Sequence, residues 1–237
     1  MMTTGLANGR DLGGLPTEDG RQTRPGVLLR SEAPLAGDPV PELAGWPPAV
    51  VLDLRGAKEG NPEHPLLVDG AQVHRIPMLD LVMAAAATDP AALDLGKLYL
   101  QLLEESADGL VEVVRLAGSA PGAVLVHCSV GKDRTGVSVA LLLRVAGVPR
   151  DTVIADYVRT EANMSGVIRR VALSLGRPEP TEEQLAAMKH LLAAPAPAIE
   201  GVLDVLDNHE GGPRGWLLAH GATEDEINRW VARILAD

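Results

Sequence analysis

The chain has no phenylalanine, and aromatic residues make up only 2% of its 237 positions. Its core must therefore be built from Leu, Val, Ile and Ala with the three tryptophans. A single cysteine, Cys128, excludes an intrachain disulfide, suits a reducing compartment and leaves no second thiol to resolve an oxidised sulfur. No apolar run is long enough to span a bilayer, and Met1 to Gly5 carries no apolar signal core. The expectation is a cytoplasmic chain with no stable membrane insertion. Basic residues are in deficit, 21 Lys and Arg against 32 Asp and Glu, for a net charge of -11. That balance argues against non-specific nucleic-acid binding but leaves room for a local positive site. His64, His74, His190, His209 and His220 show no metal-ligand spacing, so no metal and no other cofactor is expected.

The chemistry is concentrated in one stretch, Ala123-Val-Leu-Val-His-Cys-Ser-Val-Gly-Lys-Asp-Arg-Thr-Gly136. A short Val-rich run after Pro121-Gly122 predicts a buried strand ending at His127. Val137 to Ala146 predicts a buried helix, closed by Gly147 and Pro149. Between them lies a tight loop. A loop over a helix N-terminus aims several N–H groups at one point, where the helix dipole adds positive charge, so the expected ligand is phosphate. The backbone from Ser129 through Val130, Gly131 and Lys132 forms the candidate cradle, and the planar fork of Arg134 is suited to grip two phosphate oxygens. The same field favours the thiolate of Cys128, which would then be a nucleophile in place. Thr135 is placed to donate to the sulfur when it leaves, and Lys132 to add charge that suits polyanionic head groups. A nucleotide-type P-loop is excluded, because Val126 and Asp133 stand where that motif needs Gly and Ser or Thr.

The segment His127-Cys-Ser-Val-Gly-Lys-Asp-Arg-Thr135 resembles the signature of the cysteine-dependent protein tyrosine phosphatases, in the Gly-Lys-Asp-Arg-Thr form of a bacterial branch with lipid as well as phosphoprotein activity. Further blocks are similar to that branch: Gly9-Arg-Asp-Leu-Gly-Gly14, Arg24-Pro-Gly26 with Leu29-Arg-Ser31, Leu52-Asp-Leu-Arg55, and Ala155-Asp-Tyr-Val-Arg159. Gly9 departs from the pattern, which usually has an aromatic residue there. The resemblance implies hydrolysis of phosphotyrosine, and of phosphoserine, phosphothreonine or phosphoinositide substrates, through a phosphocysteine. It places the general acid at Asp80, shortly after a strand and Pro77. From the residues alone Asp80 is either that acid or the cap of a following helix. Asp133 is the rival acid, or a group that holds Arg134 in shape.

The remaining chain predicts an α/β fold: a central, mostly parallel sheet flanked by helices, in one domain over 1–237, with a helical lid candidate at about 162–195. Strands are expected at 27–29, 49–54 and 72–77, with Asp53 and Arg55 as an ion pair at a strand end. The resemblance places Arg10 and Asp11 near the active loop, and they read equally as a surface turn with an ion pair. Pro39 to Pro48 reads as a loop around a short helix with Trp46 packed, and Lys58 to Pro65 as loop. Helices are expected at 81–92, 95–106, 110–117, from Asp151 to Arg159, at 163–175 and at 181–194, with a Pro-rich hinge at 194–197. Tyr99 reads as packing. Two other functions compete: a phosphate-binding module that has lost turnover, and a rhodanese-type sulfurtransferase.

Overall fold

The computed structural model of the chain describes residues 5–236 apart from 58, 60–62 and 89–92. Five strands and ten α-helices follow one another among the described residues: β1 Arg10–Asp11, β2 Leu28–Ser31, β3 Val50–Asp53, β4 Gln72–Arg75, α1 Leu81–Thr88, α2 Leu95–Glu105, α3 Ala107–Ser119, β5 Val124–His127, α4 Asp133–Val145, α5 Arg150–Ser174, α6 Glu182–Ala187, α7 Lys189–Leu192, α8 Ala196–Asn208, α9 Gly212–Ala219 and α10 Glu224–Ile234, with a 3-10 turn at Pro65–Leu67. The sheet order is β1-β2-β5-β3-β4, parallel except for the antiparallel pair of β1 and β2.

Every residue of β2, β3 and β5 is buried, as expected of central strands in a parallel sheet covered on both faces. Side chains alternate between those faces. Leu28, Val50, Leu52, Val124 and Val126 join the large aliphatic core under the helices. Leu29, Val51 and Leu125 pack instead with Leu66, Ala71 and the partly buried Trp46. The register puts Ser31, His127 and Asp53 side by side. The loops that leave the parallel strands therefore meet at one end of the sheet, where open α/β sheets bind ligands.

The helix after β5 begins at Asp133, earlier than the apolar run suggests, and nearly all of it is buried. The last three helices close the core from outside, and the Trp230 indole donates to the Leu142 carbonyl at 2.9 Å. No helix among the described residues is long and apolar enough to cross a membrane.

Several local expectations are corrected. The stretch from Pro39 to Pro48 contains turns and no helix. Its prolines remove backbone donors, and Gly45 sits at φ +79° against the Gly26 backbone. The two helices expected at 151–159 and 163–175 are one 25-residue helix. Its polar middle is held by contacts from the N-terminal segment. Residues 181–194 form two short helices broken at Met188 rather than one. The Pro-rich hinge is instead the start of α8, where Pro197 falls in the first turn and needs no N–H partner. Of the helix expected at 81–92, α1 covers 81–88, and 89–92 lie outside the described residues.

Candidate active site

The loop from Cys128 to Lys132 links β5 to α4 and turns its carbonyls outward. Cys128 O meets His127 Nδ1 at 3.0 Å, and Ser129 O accepts from Ala33 N at 3.1 Å. Asn8 Nδ2 donates to Val130 O and Gly131 O, at 3.4 and 3.1 Å, and Arg30 Nη2 donates to Gly131 O at 2.8 Å. Lys132 O accepts the helical bond from Gly136 N at 2.8 Å. In a planar trans peptide the N–H points opposite to the C=O, so each outward carbonyl turns the next N–H inward. Among the described residues the N–H groups of Ser129, Val130, Gly131 and Lys132 have no acceptor. They form a concave array at the N-terminus of α4, a site built for an anion. Gly131 makes the turn with φ +71°, and a Cβ there would lie 2.3 Å from Ser31 O, so only glycine fits.

Cys128 is buried at the base of this array. Arg134, in the first turn of α4, faces the same end of the sheet. Its Nη1 and Nη2 meet the two Glu59 oxygens at 2.7 Å each, and Nη2 lies 3.0 Å from Asp80 Oδ2. Burial alone would lower its pKa, but Glu59, Cys128 and Asp80 outweigh that and hold it above its ordinary value. Ser129 Oγ donates to Glu59 at 3.0 Å, as does Gly56 N at 2.8 Å. Burial pushes the Glu59 carboxyl up, and these hydrogen bonds, led by those of Arg134, hold it below its ordinary value.

The two acid candidates part company. Asp80 stands at the start of α1: its carboxylate reaches Arg134, and its backbone carbonyl accepts from Ala84 N. Asp133 Oδ1 accepts from Tyr99 Oη at 2.5 Å and lies 3.5 Å from Lys132 Nζ. Tyr99 has one proton to give, so Tyr157 Oη donates to it at 2.8 Å. Tyr99, read from the sequence as packing, thus holds an acid of the loop. The Lys132 ammonium does not line the cradle. It is buried and donates to Leu191 O and Ala193 O, at 2.5 and 3.0 Å. Lys132 thereby ties the loop to the proposed lid, whose Met164, Leu185 and Leu192 pack around Val130. The Thr135 hydroxyl is buried with no hydrogen-bond partner among the described residues.

The loop is braced from behind by a buried charge network that the sequence reading missed. Asp156 pairs with Arg10 and with Arg30, at 2.6 Å each. Burial would raise the Asp156 carboxyl, but Arg30 and Arg10 hold it below its ordinary value. Arg10 Nη1 donates to Asn8 Oδ1 at 2.6 Å, which turns the Asn8 amide N–H toward the loop carbonyls. Arg10 therefore pairs with Asp156 and not with Asp11, whose carboxylate accepts from Gly13 N and Gly26 N. Arg159 is exposed on α5.

Asp53, His64 and His127 place three potential ligand atoms within 4.8 Å of one another. Both Asp53 oxygens are already held by Arg55 at 2.8 Å, the ion pair expected from the sequence. The two imidazoles are joined Nε2 to Nε2 at 3.0 Å. Hydrogen bonds thus account for the trio without an ion.

A buried cysteine at the start of an anion cradle, an arginine at the first helical turn and a carboxylate beside it make up an arrangement suited to a phosphate group. The comparisons agree with that class. A family model described as "Tyrosine phosphatase family" matches residues 1–236, and the chain belongs to that family. The chain is 34% identical over 146 residues to a tyrosine-protein phosphatase of Nostoc commune, covering 59% of this chain and 49% of that protein. It is 29% identical over 223 residues to a putative tyrosine-protein phosphatase of Cupriavidus necator, covering 86% and 80%. It is 32% identical over 128 residues to the triple specificity protein phosphatase PtpB of Mycobacterium tuberculosis, covering 49% and 45%. The match thus spans about half the length of the first and third of these relatives.

Proposed function

We propose that the chain hydrolyses phosphomonoesters, phosphotyrosine first among them, through a phosphocysteine and without a metal ion. The outward turn of all five loop carbonyls carries this reading, because it leaves a ring of N–H groups above Cys128. The substrate phosphate sits in that ring, with Arg134 gripping two oxygens as charge develops on them. The Cys128 thiolate attacks phosphorus, and the P–O bond to the leaving group breaks. Asp80 donates a proton to the departing oxygen. Water then attacks the phosphocysteine with Asp80 taking its proton, and inorganic phosphate and the thiolate are released. The Thr135 hydroxyl donates to the sulfur as it leaves. Asp133, engaged by Tyr99 and Lys132, holds the loop in shape rather than moving protons.

Among candidate substrates the geometry favours a phosphoprotein over a polyphosphorylated lipid head group. The Lys132 ammonium, the cation expected to meet extra phosphates, is bound to two carbonyls. A cleft of about 910 Å³ runs beside Glu59 between Leu35, Trp46 and Leu67, and is suited to residues that flank the phosphorylated side chain. Serine and threonine phosphates remain within the reading.

The test is phosphate release from an aryl phosphate with EDTA present, for the wild type and for Cys128→Ser. Release that survives EDTA and is lost in the variant is expected. Absence of release from the wild type, with retained binding of phosphate or vanadate, would replace the enzyme by a phosphate-binding module.

A further inference from the structure

The mechanism above gives no part to the buried imidazole of His64. His64 lies 63 positions before His127 in the chain, yet their Nε2 atoms are 3.0 Å apart in the interior. We propose that His64 is a positioning residue for the catalytic loop, acting through His127 on the peptide that joins Cys128 to Ser129. The inference rests on the phosphatase reading.

Proton accounting at the four ring nitrogens leads there. Leu66 N can only donate, so His64 Nδ1, 3.2 Å away, accepts and carries no proton. The neutral His64 therefore bears its proton on Nε2 and donates it to His127 Nε2. His127 in turn bears its proton on Nδ1, 3.0 Å from the Cys128 carbonyl, which can only accept. The chain Leu66 N–H, His64, His127, Cys128 O is complete with both rings neutral. A second proton on either ring would set two N–H groups face to face. Asp53 does not take the place of His64, since its Oδ1 is 3.8 Å from His127 Nε2 and both its oxygens serve Arg55.

The consequence reaches the reacting sulfur. Alone, His127 has two neutral tautomers, and only the one with the proton on Nδ1 donates to Cys128 O. The His64 Nε2–H facing its other nitrogen excludes the alternative. With Cys128 O held outward, the next N–H, that of Ser129, points into the cradle beside the sulfur. His64 is itself fixed as the cap of a 3-10 turn, Pro65–Leu67. The turn thus sets a tautomer, and the tautomer sets the first peptide of the cradle.

The test compares His64→Gln, which retains a donor and an acceptor, with His64→Leu, which retains neither. Turnover of an aryl phosphate is measured alongside thermal unfolding. His64→Leu is expected to lose about 10–100-fold in kcat, the usual cost of removing such an outer partner, with a much smaller change in KM, while His64→Gln recovers most of the loss. Wild-type kcat in His64→Leu, or equal losses in both variants, would overturn the proposal. If His64→Leu does not fold, ¹⁵N NMR of the wild-type imidazoles decides: protons on His64 Nε2 and His127 Nδ1 are required, and any other pattern overturns it. A wild type without turnover would instead remove the phosphatase reading, and the NMR result would still report on the histidine chain.

Discussion

The Arg134 guanidinium and the Glu59 carboxylate meet at two points, Nη1 to Oε2 and Nη2 to Oε1, each at 2.7 Å. The fork that the mechanism assigns to phosphate thus faces a carboxylate of its own chain. Glu59 orients the guanidinium, but its charge also opposes an incoming dianion. Glu59→Gln keeps the shape and removes the charge. Inorganic phosphate or vanadate is expected to inhibit this variant about 3–10-fold more tightly, the scale of one partly screened charge at close range. Inhibition constants check this, and weaker inhibition would mean that orientation outweighs repulsion.

Asp80 and Asp133 separate by leaving group. Asp80→Asn is expected to lower kcat about 10²–10³-fold for phosphotyrosine peptides, and far less for aryl phosphates with an acidic leaving group that needs no proton. Asp133→Asn retains the acid, so its loss is expected to be independent of the leaving group. Steady-state rates across a series of aryl phosphates check both.

Asp156 is the shared counter-ion of Arg10 and Arg30, which together orient the donors to Gly131 O. Asp156→Ala leaves two buried guanidinium groups without their carboxylate. The expected cost is about 3–5 kcal/mol in urea unfolding, together with weakened vanadate binding. A variant of normal stability would mean that solvent or Asn8 replaces the carboxylate.

Stability is expected to fall on the acid side through the histidine pair. Burial, with His127 close by, pushes the His64 imidazole down to about 4. Burial also pushes His127 down to about 4, against the pull of Asp53. The ordinary value in an unfolded chain is about 6.5. Between those limits the unfolded chain binds protons that the folded chain refuses, so stability falls as pH drops from about 6.5 to about 4, by at most about 1.4 kcal/mol per pH unit for each histidine. Melting temperatures over that range check the slope, and His64→Gln is expected to reduce it.

Cys128, Arg134 and the cradle were legible because strand, loop and helix are contiguous, and each carries its own local signal. Asp80 stood out as an acid just past a strand and a proline, while the residues alone left open whether it acts as an acid or caps the helix. Glu59, Asn8, Arg30, Asp156 and His64 were not assigned roles, although the block containing Asp156 stood out as a motif. Their partners lie 24 to 146 positions away, and no periodicity reports such pairings. Glu59 had only a faint signal, an acid four residues after Arg55 in a loop beyond a strand end. The length of α5 was misjudged because Thr160 and Asn163 look like a polar break. In the structure Arg10 donates to Thr160 and Asn163 donates to Asn8, so that stretch faces the N-terminal segment.

The sequence by itself determined the strand-loop-helix unit, the glycine at its turn and the cysteine and arginine within it, because these depend on neighbours along the chain. Only the tertiary structure decided which way the peptides of the loop face. That orientation comes from donors on and just after β2, on the N-terminal segment and at the end of β5, brought to one end of the sheet by parallel pairing. It also decided that the Lys132 ammonium is held by the carbonyls of Leu191 and Ala193. A long side chain buried at a helix start goes where unpaired acceptors lie, and those acceptors come from a segment 59 to 61 residues away.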